Sequence, residues 1–531
     1  MLVHNFLEDS AGRFPGKTAV VAKGRRYSYG EIEGQSGRLA LALRARGIGR
    51  GDRVAVLMDN SVECVISIFG ILKADAVFLI LSPSLKFAKL AYILNHCGAK
   101  ALICDEEKAP RIRGLQRGVP GLDFLIAAGG AEIFAETVHP NSFSWEQAAA
   151  AGRGGGALRA NSIDLDLASI IYTSGSTADP KGVMLTHRNM ISAADSIIKY
   201  LENSPDDIVL NVLPLSFDYG LYQVLMCFRF GGTVVLEKSF AYPYEVMKLV
   251  EREKVTGFPG VPTMFAILLR MDLSRFRLES LRYITNTAAH LPVEHIARLR
   301  ASFPGARIFS MYGLTECKRA LYLPPEELDR KPGSVGRAIP NEEVWIVNAQ
   351  GEKAGPGVVG ELVVRGSNVM KGYWRDEAAT DAALRPGKLP GEKVLYTGDL
   401  FRMDEEGFLY FVGRKDDQIK TRGERVSPKE VESVLYKMEG ISEAAVVPVP
   451  DAILGNAIKA FVTVEKGSML NERAVILHCR RHLEDFAVPR CIEFRENLPK
   501  NPSGKIDRLL LKSADLRSEP AAAKGIGNEN M

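Results

Sequence analysis

The chain is poor in cysteine, with seven in 531 residues (positions 64, 97, 104, 227, 317, 479 and 491) and no Cys-x-x-Cys spacing. That excludes a disulfide scaffold and predicts reduced thiols in a cytoplasmic protein. It lacks a charge of dominant sign: Lys+Arg 68 against Asp+Glu 64 leaves +4, with no basic block standing apart, so nucleic acid is not the implied partner. It lacks a long apolar run, because Lys73 and Asp75 interrupt the most apolar stretch, residues 65–81. A buried helix and a core strand are expected there, not a membrane span. Residues 1–10 show no basic-then-apolar signal pattern. No repeat of fixed period is present. What remains is an ordinary globular composition, 46% hydrophobic and 25% charged, on a chain too long for one simple core.

Strand-like and helix-like segments alternate along most of the length. Residues 19–22 and 54–58 read as short buried strands. The helix between them is capped by Ser28, with Glu31 completing a capping box, Ile32, Leu39 and Leu43 at helical spacing, and Gly47 as the stop. Helix 86–97 before strand 101–104, and helix 244–254 before Gly257, repeat the theme. The expectation is an α/β fold with mostly parallel sheets. Residues 148–157 are small and Gly-rich and predict a surface linker. A second boundary follows a strand at 408–412. Beyond it the pattern changes: Ser427 as cap, Pro428 at the first helical position and Glu430 completing a box, then the apolar face Val431, Val434, Leu435 and Met438. Strand-like runs 444–449 and 457–464 and a helix 472–484 follow. The predicted organisation is a large N-terminal domain of packed sheets and helices (1–413), a hinge (414–417), a small mobile α+β C-terminal domain (418–512), and a disordered tail (513–531).

The most informative segment is Tyr172-Thr-Ser-Gly-Ser-Thr-Ala-Asp-Pro-Lys-Gly-Val183. Hydroxyls, approachable backbone N–H groups and Lys181 suit a polyphosphate, although the order is not that of a P-loop. Alone, such a run is a common loop. It is followed in order by Tyr312-Gly-Leu-Thr-Glu316, Tyr396-Thr-Gly-Asp399, Gly413-Arg-Lys-Asp-Asp-Gln-Ile-Lys420 with Arg422-Gly-Glu-Arg425, and Asn501-Pro-Ser-Gly-Lys505. Each is weak; the ordered set is specific.

With these motifs the chain, to about residue 512, resembles the adenylate-forming superfamily: acyl-CoA synthetases, luciferases and the adenylation domains of non-ribosomal peptide synthetases. The resemblance implies a carboxylic acid coupled to ATP, release of pyrophosphate, an acyl-AMP intermediate, and transfer to a thiol of coenzyme A or of a carrier-protein phosphopantetheine. It implies Mg²⁺ as cofactor and a small carboxylic or amino acid as substrate. Residue by residue, Thr173, Ser174, Gly175, Ser176, Thr177 and Lys181 would hold the outer phosphates. Thr315 would bond the α-phosphate and Glu316 would ligate Mg²⁺. Asp399 and Arg414 would contact the ribose, with Tyr312 and Ala288 beside the nucleotide. Lys505 would reach the oxygens between carboxylate and α-phosphate as charge develops. Asp416 would be the hinge, Gly423 would line the thiol channel, and Arg425 would approach a phosphate after domain rotation.

The implied acyl pocket comprises Phe217, Asp218, Tyr222, Ala288, Met311, Gly313 and Arg319. Ala178, Asp75, Ala288 and Ala289 stand where glycine is usual; the added methyl groups beside the pocket favour a small or slim acid. Phe217-Asp218 replaces the aromatic-His pair of fatty acyl-CoA synthetases and resembles amino-acid adenylation domains, in which the Asp pairs with the substrate ammonium. The alternative is that Asp218 caps a helix beginning near Tyr219. Arg319, next to Lys318, would pair with an acidic substrate group or face solvent. The regions 213–220, 285–292 and 311–329 also resemble stand-alone ligases of bacterial exopolysaccharide and exosortase loci. An adenylating enzyme that loads an amino or imino acid only onto a carrier, and a non-catalytic nucleotide-binding subunit, remain alternatives. His478 and His482 have a metal-compatible spacing on a predicted helix but no third ligand, so a solvated pair is expected.

Overall fold

The computed structural model describes all residues except 130–131, 152–159, 174–179, 288, 290, 416, 418, 422–423, 452–454, 502–503 and 516–531. The chain divides into two compact units, Met1–Phe411 and Val412–Met531, and the division falls inside the strand Leu409–Arg414.

The first unit is built on three sheets. These are a nine-stranded, an eight-stranded and a five-stranded sheet. In the nine-stranded sheet Ile208–Asn211, Gly257–Gly260, Tyr283–Asn286 and Arg307–Tyr312 run parallel as neighbours. Their side chains are almost all buried, as expected of parallel strands covered by helices on both faces. The eight-stranded sheet places Arg53–Leu57 between Val77–Ile80 and Ala99–Asp105, all parallel, and carries the antiparallel hairpin Leu167–Thr173 with Lys181–Thr186.

Local signals hold in detail. Ser28 Oγ accepts from Glu31 N and Glu31 Oε2 accepts from Ser28 N, at 3.2 and 2.7 Å, closing a capping box on the helix Tyr29–Ala45. The apolar stretch is the buried helix Val62–Lys73 and the strand Val77–Ile80. Lys73 is buried there, paired with Glu33 and 3.8 Å from Glu8. Among the described residues no helix is long and apolar enough to cross a membrane. Asp75, in a glycine's usual place, takes φ of 64°. Its carboxylate receives Arg44 Nη2 at 2.5 Å and the amides of Asn161 and Ser162 at 3.0 and 3.1 Å, so it fastens the entry to the hairpin.

The second unit wraps helices Pro428–Tyr436, Glu472–His482 and Arg508–Asp515 around a three-stranded sheet, Ile441–Asp451, Gly455–Val464 and Cys491–Phe494. Val431, Val434 and Leu435 are buried in its core and Met438 packs on them.

Several expectations are corrected. Residues 148–151 are not linker but the end of the helix Trp145–Ala151, and 152–157 lie outside the described residues. The tail does not begin at 513, because the last helix runs to Asp515. Ser427 occupies the N-cap position without a side-chain capping bond; its hydroxyl donates instead to the Val412 carbonyl, which outcompetes the box with Glu430.

Candidate active site

The carboxyl ends of the parallel strands of the nine-stranded sheet converge on one edge, where ligands bind in open α/β sheets. The segment leaving that edge after Arg307–Tyr312 carries the Thr315-Glu316 motif. Arg307–Tyr312 ends in Tyr312, whose hydroxyl donates to Asp399 Oδ2 at 2.6 Å and whose ring meets Phe401 edge-on at 4.8 Å. Asp399 is buried, on the long strand Lys393–Met403. Two residues proposed from separate motifs are thereby in direct contact.

Thr173 and Lys181 face one another as Cα partners at the loop end of the hairpin. The intervening Ser174, Gly175, Ser176, Thr177 and Ala178 lie outside the described residues. Lys181 Nζ lies 3.9 Å from Asp376 and 5.4 Å from the Tyr373 ring centre. Tyr373 pairs with Val183 and donates its hydroxyl to Glu316 Oε1 at 2.7 Å. Tyr373 therefore ties the phosphate-loop lysine to the proposed metal carboxylate, a link the sequence motifs did not reveal. Glu316 presents an oxygen donor held in place by a neutral hydroxyl, which suits a hard cation such as Mg²⁺. Thr315 and Glu316 are partly exposed.

Beyond Glu316 the chain turns inward. Lys318 has φ of 65°, and Cys317, Lys318, Arg319 and Ala320 are all buried. Asn368 Nδ2 donates to the carbonyls of Cys317 and Arg319 at 2.8 and 3.1 Å, gripping the turn on both sides. Gly313 is obligatory below it, because a Cβ there would collide with the Lys318 carbonyl and stand 2.9 Å from Arg319 Cα. Burial pushes the Cys317 thiol well above its ordinary value, so it is no nucleophile at neutral pH.

The helix Asp218–Phe230 starts on the same edge. Asp218 is its first residue and not its cap; Phe217 takes the cap position, with no side-chain capping bond. The Asp218 carboxylate instead lies 3.7 Å from Lys318 Nζ. Lys318 Nζ stands 4.6 and 5.4 Å from the Tyr222 and Tyr219 ring centres. Burial pulls the Lys318 ammonium down to about 7, opposed by Asp218 and aided by Arg319. Arg319 does not face solvent: it is 2% exposed, donates Nη1 to Thr287 Oγ1, and holds its guanidinium carbon 5.4 Å from the Tyr219 ring centre. Met311 is buried behind it, its sulfur accepting from Tyr200 Oη at 2.9 Å. Ala288 lies outside the described residues. The sequence pattern had not marked Lys318, Tyr219, Thr287 or Asn368; the one local signal was two adjacent cations after the Thr-Glu pair.

In the second unit Arg414 is exposed at the end of the strand Leu409–Arg414. Lys505 closes a tight loop: its amide donates to Asn501 Oδ1 at 3.0 Å and its carbonyl accepts from Asn501 N at 2.8 Å. Asp416, Gly423 and the Arg425 side chain lie outside the described residues. His478 Nε2 donates to the Val434 carbonyl at 3.0 Å, which engages one ring nitrogen within the unit.

This arrangement, a large α/β unit and a small α+β unit bearing a loop lysine, is that of enzymes that activate acids with a nucleotide. The family model of the AMP-binding enzyme matches residues 7–374, and that of the AMP-binding enzyme C-terminal domain matches 430–505. A long-chain-fatty-acid–CoA ligase of Bacillus subtilis (strain 168) is 31% identical over 95% of this chain and 93% of its own. Among solved structures, the anthranilate CoA ligase AuaEII in complex with anthranoyl-AMP superposes with a TM-score of 0.86 at 27% identity, covering 97% of both chains. ATP-bound MatB from Rhodopseudomonas palustris gives 0.84 at 28%, covering 97% of this chain and 99% of its own. The chain belongs to the AMP-binding enzyme family, as an AMP-forming ligase of the acyl-CoA synthetase kind.

Proposed function

We propose that this enzyme couples a small carboxylic acid to ATP, releases pyrophosphate, and passes the acyl group from acyl-AMP to the thiol of coenzyme A. The observation that carries the reading is the junction at Tyr373, which brings Lys181 of the phosphate hairpin and Glu316 of the Thr-Glu motif to one place. A carboxylate is a weak nucleophile facing a polyanion, so the protein must neutralise charge and align the attack. Thr173 and Lys181, with the loop between them, neutralise the outer phosphates. Thr315 donates to the α-phosphate, and Asp399 accepts from the ribose hydroxyls beside Tyr312. Glu316 would hold Mg²⁺, which supplies further charge neutralisation when bound. Lys505 stabilises the charge that develops on the bridging oxygens. Asp416 serves as the hinge, and the small domain exchanges Lys505 for the Gly423 loop, with Arg425 and Arg414 repositioned, before the thiol attacks. All seven cysteines are free, in keeping with a reducing compartment such as the cytoplasm.

The test is pyrophosphate release over aliphatic, aromatic, dicarboxylic and amino acids, with hydroxylamine as acceptor and then with coenzyme A. Acid-dependent release and an acyl-CoA product are expected. Release without acyl-CoA would transfer the reading to a carrier-loading enzyme, and no release with any acid would leave a nucleotide-binding subunit.

A further inference from the structure

Resting on that reading, we infer that the acid this enzyme activates carries a second anionic group, in the simplest case a second carboxylate, and that Arg319 receives it.

The argument starts from the turn. Along ordinary helix or strand, adjacent side chains leave in different directions. The left-handed backbone at Lys318 turns two successive cations inward, leaving them 4% and 2% exposed. Among the described residues the carboxylate paired with Lys318 is that of Asp218, at 3.7 Å. Among the described residues Arg319 forms no ion pair, and its buried Nε has no hydrogen-bond partner. Its surroundings are neutral: the hydroxyls of Thr287 and Tyr200 and the aromatic ring of Tyr219. A guanidinium removed from water with neither counter-anion nor full hydrogen bonding is costly, and such groups cluster where a ligand supplies what is missing. The missing partner is an anion, and the planar Nε/Nη fork matches a carboxylate.

The same charge balance removes the amino-acid reading of Asp218. Its carboxylate is already engaged from within the chain by Lys318, and a substrate ammonium would add a third basic group to the cluster. The carboxylate to be adenylated and the anion at Arg319 are thus opposite ends of one small molecule.

The experiment compares dicarboxylic acids of three to six carbons, and phthalate, with their monoamides, which keep size and lose one charge. Pyrophosphate release is followed for the wild type, Arg319→Met and Arg319→Lys. A dicarboxylate is expected to exceed its monoamide by about thirtyfold or more in kcat/KM, the scale of a bidentate charge-assisted contact. In Arg319→Met the ratio falls to about one, ATP KM is unmoved, and the melting temperature is no lower, because an unpaired buried charge has been relieved. A purely structural arginine would instead lower stability and leave the ratio intact. Should Arg319→Met not accumulate as folded protein, Arg319→Lys decides: KM for the dicarboxylate rises about tenfold while the monoamide is unaffected. Preference for monoacids or amino acids, unchanged in Arg319→Lys, overturns this inference and leaves the ligase reading standing. Absence of release with every acid overturns both.

Discussion

Lys318 shows how one backbone angle sets the character of a buried cluster. With φ of 65° its conformation costs on the order of 1 kcal/mol, and it is held by Asn368 above and the glycine floor at 313 below. Gly313→Ala therefore should displace the turn and destabilise the protein by about 1–3 kcal/mol, the range for overpacking, with a larger loss in kcat/KM than in KM for ATP. Thermal melts and initial rates check it. The titration of Lys318 gives a second expectation. The groups facing it are Asp218, Arg319, Cys317, Tyr219 and Tyr222; burial raises the thiol and both phenols, Tyr219 to about 12, so they stay neutral. Lys318 is cationic below about 7 and neutral above. Since kcat/KM reports the free enzyme, its value for a dicarboxylate should fall as pH rises through about 7, and Lys318→Arg, which cannot titrate there, should remove that limb of the profile.

At the scale of elements, what was legible depended on whether the determining contact was local. The helix opening at Ser28 could be read because both partners of its box lie within one turn. The cap at Ser427 could not, because its hydroxyl finds the Val412 carbonyl, which no local pattern announces. Asp218 was legible as a special residue at a helix start, yet its partner is a lysine a long way down the chain. Asp75 was legible as an oddity where glycine is usual; only the folded chain shows it gathering Arg44 and the amides of Asn161 and Ser162. Asp75→Gly relaxes the positive φ but loses these bonds. A net destabilisation of about 1–3 kcal/mol is expected, read as a lower urea midpoint with unchanged m. A more stable variant would mean that backbone strain outweighs the bonds.

For the whole molecule, the chain divides into two compact units, and the proposed domain exchange is tested by taking the two half-reactions apart. Lys505→Ala should lower acid-dependent pyrophosphate release by about 10²–10³, the usual loss for one charge-stabilising donor, while transfer from chemically supplied acyl-AMP to coenzyme A continues. Asp416→Pro, restricting the proposed hinge, should do the reverse: adenylation retained, thioester formation lost. Single-turnover assays of each half-reaction separate the two. Equal loss of both steps in both variants would remove the domain-exchange part of the proposal.

The amino-acid order alone determined the α/β class, the succession of motifs and, through the resemblance those motifs carry, the chemistry, because such motifs are residue types at short, fixed spacings. The tertiary structure alone decided the charge of the cluster proposed to meet the acid. That quantity is a sum over groups from the Asp218 helix, the Lys318–Arg319 turn and the Thr287 segment, and burial gives the sum its weight: in water these charges would be screened, whereas in the interior a single uncompensated one selects the ligand.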